Sequence, residues 1–203
     1  KRPAEQARVL REALVLYPLE ELLLTSRRYG FLGDYILYEN PDYRAKLHKF
    51  TPGQLGGDTL EYHMFKANLH KYSEEPDLAR AHYDSARTRL EAKVREQPGD
   101  DGFRMGLALV YAALDRKEDA IREARRAVQI LPMSKDAFNG MDMVAALANV
   151  YVSVGEFDAA LDQLETLLAL PCKVWVEMVD VAPWFAPLRD HPRLRALLKR
   201  TTT

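Results

Sequence analysis

Alanines at helical spacing occur twice over in this chain. KEDAIREARRAVQILP, Lys117 to Pro132, carries Ala120, Ala124 and Ala127 on one stripe, with charges elsewhere and a proline at the stop. EFDAALDQLETLLALP, Glu156 to Pro171, has almost the same outline 39 residues further on. Two helices approach closely only where side chains are small, with larger residues filling the spaces between repeats. No single helical hairpin buries its own apolar face, so a repeated one points to an array in which each unit supplies its neighbour's core.

The rest of the chain is organised around these segments. Ala4 to Tyr17 reads as a helix ended by Pro18, and Leu19 to Tyr29 as a second, loosened at its end by Gly30 and Gly33. Residues 1–35 are therefore expected to form a helical pair. Residues 36–57, rich in proline and glycine, read as an irregular linker with a short helix around Tyr43 to Phe50. From Asp58 onward the periodicity strengthens. It predicts helices over Thr59–Tyr72 and Leu78–Glu96, over Gly102–Leu114 and Lys117–Leu131, and over Met143–Val154 and Phe157–Leu170. Short turns between the members of each pair suit antiparallel hairpins, placed at about 58–97, 101–132 and 141–171. Val174 to Asp180 reads as a short helix inside a closing segment, 172–200.

Superposed, the hairpins share a pattern. Leu107, Ala108 and Tyr111 of the middle unit correspond to Leu147, Ala148 and Tyr151 of the last, and Ala120, Ala124 and Ala127 to Ala160, Leu164 and Leu167. The earlier unit offers Ala67, His70, Ala79, Tyr83 and Ala86. Leu-Ala-x-x-Tyr in the first helix, spaced alanines in the second and a proline after it resemble the tetratricopeptide repeat. The likeness is closest for 101–132 and 141–171, less close for 60–97 and weak for 4–35. Arg104, Val144 and His63 stand where that family usually has an aromatic residue. The second and third units are about 40 residues apart rather than 34, the excess lying in PMSKDAFNGMD.

The tail VAPWFAPLRDHPRLRALLKR is similar to the segment that closes tetratricopeptide domains of bacterial serine/threonine kinases, adenylate cyclases and winged-helix regulators. Trp184, Phe185, Pro187, Leu188, Arg189, Pro192, Leu194, Leu197 and Leu198 carry the likeness. The resemblance implies an all-α, right-handed superhelical solenoid of antiparallel hairpins. In it Trp184 and Phe185 cover the last repeat, and a capping helix starts at Asp190 or His191. It implies a non-catalytic interaction scaffold belonging to a bacterial signalling or regulatory protein.

Composition narrows the partners. With 29 basic and 30 acidic side chains the net charge is -1, which argues against a dedicated nucleic-acid surface. Basic residues concentrate in Arg122, Arg125 and Arg126, expected to face solvent with Glu118 pairing to Arg122, and in Arg189, Arg193, Arg195, Lys199 and Arg200. No apolar run is long enough to span a bilayer. The opening KRPAEQARVL leads into charged helix and is no secretory signal, although a chain beginning at lysine reads as a piece of something longer. A single cysteine, Cys172, suits a reducing compartment, so a cytoplasmic location is expected.

Nothing in the sequence assembles into a catalytic site, and no cofactor is expected. GGD at 56–58 lacks the lysine and glycine spacing of a phosphate loop, and Gly30 and Gly33 beside Asp34 read as a helix stop. His63 and His70 are two turns apart on one helix rather than at the three- or four-residue spacing of a metal pair, so with His82 they read as histidines at repeat positions. Cys172 reads as packing, with His191 the only histidine in its region. Glu74 and Glu75, and Asp100 and Asp101, read as solvated caps. An enzyme would need Tyr38, Tyr43, Lys46 and His48 of the linker to form a pocket with the repeats.

Stacked hairpins line a concave groove with their first helices. The residues expected to face it are Glu61, Met64, Asn68 and Tyr72, then Met105, Leu109, Ala112 and Ala113, then Asp142, Ala145, Asn149 and Val152. Methionine and leucine offer adaptable apolar contact and the asparagines pair with an extended backbone, which suits a peptide or helix. The carboxylate clamp of some tetratricopeptide co-chaperones is not matched. Asn68 fits one of its positions, but Met64, Gly106, Asp142 and Ala146 stand where its other polar residues would be. The competing expectation is a structural spacer or homodimerisation module with an empty groove.

Overall fold

The computed structural model describes residues 41–55, 57–170 and 182–201, together with Glu12 and Val179. The helices expected over Ala4–Tyr17 (Glu12 apart) and Leu19–Tyr29, the turn at Gly30 and Gly33, Tyr38, Cys172 and all of Val174–Asp180 but Val179 lie outside these residues. No strand occurs among the described residues. Helices α1 (Pro41–Leu47), α2 (Thr59–Tyr72), α3 (Pro76–Glu96), α4 (Asp101–Ala113), α5 (Lys117–Ile130), α6 (Ala137–Ser153), α7 (Phe157–Leu168) and α8 (Pro192–Thr201) follow in order. Short 3-10 turns lie at Pro52–Leu55 and Pro183–Leu188. The chain divides into two compact units, Lys1–Ala86 and Arg87–Thr203, the boundary falling inside α3.

In the first unit, Leu47, Phe50, Leu55, Phe65 and Leu69 form a core with Tyr43, Tyr62 and Tyr72 against it. Asp58 starts α2 by accepting the main-chain N–H of Leu60 and Glu61, satisfying donors that a helix leaves open at its first turn. The segment expected to be an irregular linker with a short helix is tied to α2. The Arg44 guanidinium donates to the Tyr72 carbonyl, and the buried Lys66 ammonium donates to the His48 carbonyl at 2.6 Å. Tyr83 OH donates to Asn68 Oδ1 at 2.8 Å, joining the start of α3 to α2.

In the second unit α4 pairs with α5 and α6 with α7, and α6 packs on both α4 and α5, so one hairpin lies on the next. The small stripe is where the helices meet: Ala108, Ala120, Ala124, Ala127, Ala148 and Ala160 are all buried. Polar bonds cross between elements as well. Tyr111 OH donates to Glu91 at 3.0 Å, and Arg125 Nε donates to Tyr151 OH at 2.8 Å, linking α5 to α6.

The three hairpins turn in the same way. Main-chain N–H groups of Glu75, Arg116 and Glu156 donate to the carbonyls of His70, Tyr111 and Tyr151 at 3.0, 2.9 and 2.9 Å. The residue before each donor, Glu74, Asp115 or Gly155, is left-handed, with φ of 58°, 62° and 78°. This is the helix ending in which a left-handed residue lets orphan carbonyls of the last turn be satisfied.

The structure departs from the sequence reading at the start of α6, which begins at Ala137 rather than Met143. Asp136 caps it, accepting from Phe138 and Asn139 N–H at 3.0 and 2.9 Å. Gly140, in the stretch read as extra spacing between repeats, is a contact residue within the helix: a Cβ there would lie 2.6 Å from Met133 N and Cα. At the other end, the 3-10 turn holding Trp184 and Phe185 packs on α6, and α8 packs on α7. Phe185 and Leu188 are fully buried, and Trp184 meets Phe185 edge-on at 6.2 Å.

Candidate functional site

The residues read as a partner surface are distributed over both units. On α2, Glu61 is exposed and Met64, Asn68 and Tyr72 are half-buried. In the second unit Leu109, Asp142 and Asn149 are half-buried on the adjoining helices α4 and α6, whereas Met105 is buried. Asn68 and Asn149 already hold local partners through their amide oxygens, Tyr83 OH at 2.8 Å and Ser153 Oγ at 3.3 Å. Burial raises the Asp142 carboxyl above its ordinary value, because low-dielectric surroundings disfavour the charged form. The residues read as structural, Tyr111, Ala120, Ala127, Tyr151, Ala160 and Phe185, are buried, with Trp184 half-buried.

A depression of 640 Å³ on the second unit is lined by Arg104, Arg122, Arg125 and Arg126 among others. Each guanidinium there has a side-chain partner. Arg104 binds Glu123 at 2.6 Å, Arg125 binds Tyr151, and Arg126 binds Gln129 at 3.2 Å. Arg122 pairs with Asp119 at 2.6 Å and with Glu123 at 3.2 Å, where the sequence had suggested Glu118. Asp119 and Glu123 offset part of the patch's positive charge, whereas the partners of Arg125 and Arg126 are uncharged.

The most concentrated chemistry lies in the first unit. Four of the chain's five histidines, His48, His63, His70 and His82, come together there. His63 and His82 share a hydrogen bond between their Nδ1 atoms at 3.0 Å, and the His82 ring stacks on His70 with centroids 5.4 Å apart. His48 lies 5.1 Å from His70 by ring centroid, and its Nε2 shares a 2.9 Å hydrogen bond with Ser73 Oγ. His70 Nδ1 donates to Glu75 Oε2 at 2.6 Å, so Glu75 is a histidine partner rather than the solvated cap expected. The bond to His70 holds the Glu75 carboxyl below its ordinary value despite some opposing desolvation.

Burial favours the neutral form of two of these rings. Burial, then the neighbouring His63, His70 and Lys66, lowers His82 to about 4. Burial and His70 lower His48, against a smaller opposing pull from Glu75. Sequence spacing missed this cluster because His48 sits beyond the glycine-rich stretch and Glu75 in the hairpin turn. The available signal was compositional: four of five histidines fall between residues 48 and 82.

No protein-family model, curated protein or solved structure matches the chain. Its geometry is that of an all-helical protein with repeating antiparallel hairpins, a helical-repeat fold in the general sense. No helix among the described residues is long and apolar enough to cross a membrane.

Proposed function

We propose that the chain is a non-catalytic interaction scaffold of tetratricopeptide type, a domain of a bacterial signalling or regulatory protein acting in the cytoplasm. It holds a peptide or helix against the first helices of its hairpins. The side-by-side packing of α4 and α6 carries this reading, since it puts Leu109, Asp142 and Asn149 on adjoining helices. Leu109 offers an apolar anchor and Asn149 a main-chain partner. Asp142 is a half-buried carboxylate whose desolvation a cationic or hydrogen-bonding partner would offset. Glu61, Met64, Asn68 and Tyr72 present a comparable set on α2, and Met105 supports α4 from within.

A second reading, self-association, is favoured by Phe138, which is 73% exposed at the start of α6. The deciding experiment compares proteins retained from the native host by the 203-residue chain and by a Leu109→Glu, Asn149→Ala variant, with complex mass read by light scattering. A heterologous partner bound by the first and lost by the second supports the scaffold. A homodimer that Phe138→Ser dissociates, with no heterologous partner, replaces it by self-association.

A further inference from the structure

The histidine cluster is not used by the partner-binding reading, and its geometry suits a different ligand. One donor atom each from His48, His70 and Glu75 lies within 4.8 Å of the other two. Two imidazoles and a carboxylate form a mixed nitrogen and oxygen set, better matched to zinc and its first-row neighbours than to magnesium or calcium, which favour oxygen. A tetrahedral zinc with ligands at about 2.0–2.2 Å holds them about 3.3 Å apart, so rotations of the three side chains close the set. The exposed side chain is Glu75, which leaves the ion a path from solvent.

We propose that His48, His70 and Glu75 bind one divalent transition-metal ion, zinc being the ion that fits best, with the fourth position left to water. The ion takes the place of the proton between His70 Nδ1 and Glu75 Oε2 and draws in His48, the His70 ring changing tautomer so that its proton is carried on Nε2. Its coordination fastens the turn after α1 to the C-terminal end of α2 and the hairpin turn beyond it. Lys66 opposes a cation here. Its ammonium, however, is directed at main-chain oxygens, the carbonyls of His48 and Leu47 at 2.6 and 3.5 Å. The His63–His82 pair lies against His70 as an outer layer, fixing ring orientation as groups behind metal ligands do.

The test titrates zinc chloride alone into the untagged 203-residue chain, stripped with chelator, by calorimetry and by thermal unfolding. One ion per chain is expected, with a raised unfolding temperature and no response to magnesium. His48→Gln, His70→Gln and Glu75→Gln should each weaken zinc binding about tenfold or more, while His191→Ala leaves it unchanged. Glu75→Gln alters an exposed turn, so it keeps the test valid if a histidine variant fails to fold, and cobalt substitution reports the same loss through its visible spectrum. Absence of saturable zinc binding overturns the proposal. So does binding that survives both His48→Gln and Glu75→Gln but is lost in His63→Ala, which would place the ion on the outer pair.

Discussion

Gly140 lies so close to Met133 that a Cβ on the glycine would sit 2.6 Å from the methionine's main-chain N and Cα. The obstacle is backbone on both sides, which a flexible side chain cannot relieve by turning. Gly140→Ala is therefore expected to lower stability by about 1–3 kcal/mol, the range for overpacking a fitted contact. Gly102→Ala is the control, since a Cβ there would meet only a side-chain oxygen of the nearby Asp100, at 3.4 Å. Urea unfolding of the two variants gives the comparison.

The left-handed residues of the hairpin turns should respond with opposite signs. Glu74 has φ 58° and carries a side chain that disfavours it, so Glu74→Gly is expected to stabilise the chain by up to about 1 kcal/mol. Gly155 already has the freedom that φ 78° requires, and Gly155→Ala should cost about 1 kcal/mol. Shifts of the same sign in both denaturation midpoints would show that the turns do not hold these conformations.

The last helix tests ionic against apolar attachment. Arg193 binds Asp162 at 2.7 Å and Glu165 at 2.8 Å, but all three are substantially exposed, so Arg193→Ala should shift the unfolding midpoint only slightly, and less still in high salt. Leu194 is 1% exposed, and Leu194→Ala should cost about 2–5 kcal/mol. A reversed order would mean that the ion pairs hold α8.

Acid should weaken the second unit. Hydrogen bonds from Arg122 and Arg116 hold Asp119 below its ordinary value, and the bond from Arg193 does the same for Glu165. Desolvation would raise Glu91, but Arg87, Tyr111 and Arg116 outweigh it and the net shift is downward. A lowered folded pKa gives stability that is present above the unfolded carboxylate value, about 4, and is lost as pH falls through the folded one. The urea midpoint should fall below about pH 4, and Glu91→Gln should flatten that limb.

Asp142 behaves the other way. Its folded pKa is raised, so its contribution favours folding below the unfolded pKa and is lost as pH rises through the folded one. Asp142→Asn should therefore stabilise the free chain at pH 7, with the gain vanishing in acid. If the residue serves partner binding, the same variant should also weaken the complex, a separation of stability from function that a purely structural residue would not give.

The helix pairs were legible because their signals are local. Capping by Asp58 and Asp100 and the alanine spacing all act within a few residues, and the expected Thr59–Tyr72 is the helix observed. Two things were not legible for the same reason. Gly140 lies in a stretch that reads only as extra spacing between repeats, and folding alone brings Met133 against it, where a helix needs a missing side chain. His48 and Glu75 meet through the hydrogen bonds that pin the turn after α1 to α2, which no spacing rule anticipates. Similarly, Tyr111 and Tyr151 occupy matching positions, but their hydroxyls bind a carboxylate in one repeat and a guanidinium in the next.

The hairpin turn is closed through main-chain atoms. Histidine at one site and tyrosine at the other two supply the same carbonyl, and glutamate, aspartate and glycine all serve as its left-handed residue. Such a joint sets few conditions on the letters that build it. Over generations, duplicated hairpins can exchange most of their side chains while keeping their outline. Ancestry in such a chain should persist longer in backbone angles than in residue identities, and the three hairpins already differ from one another in that manner.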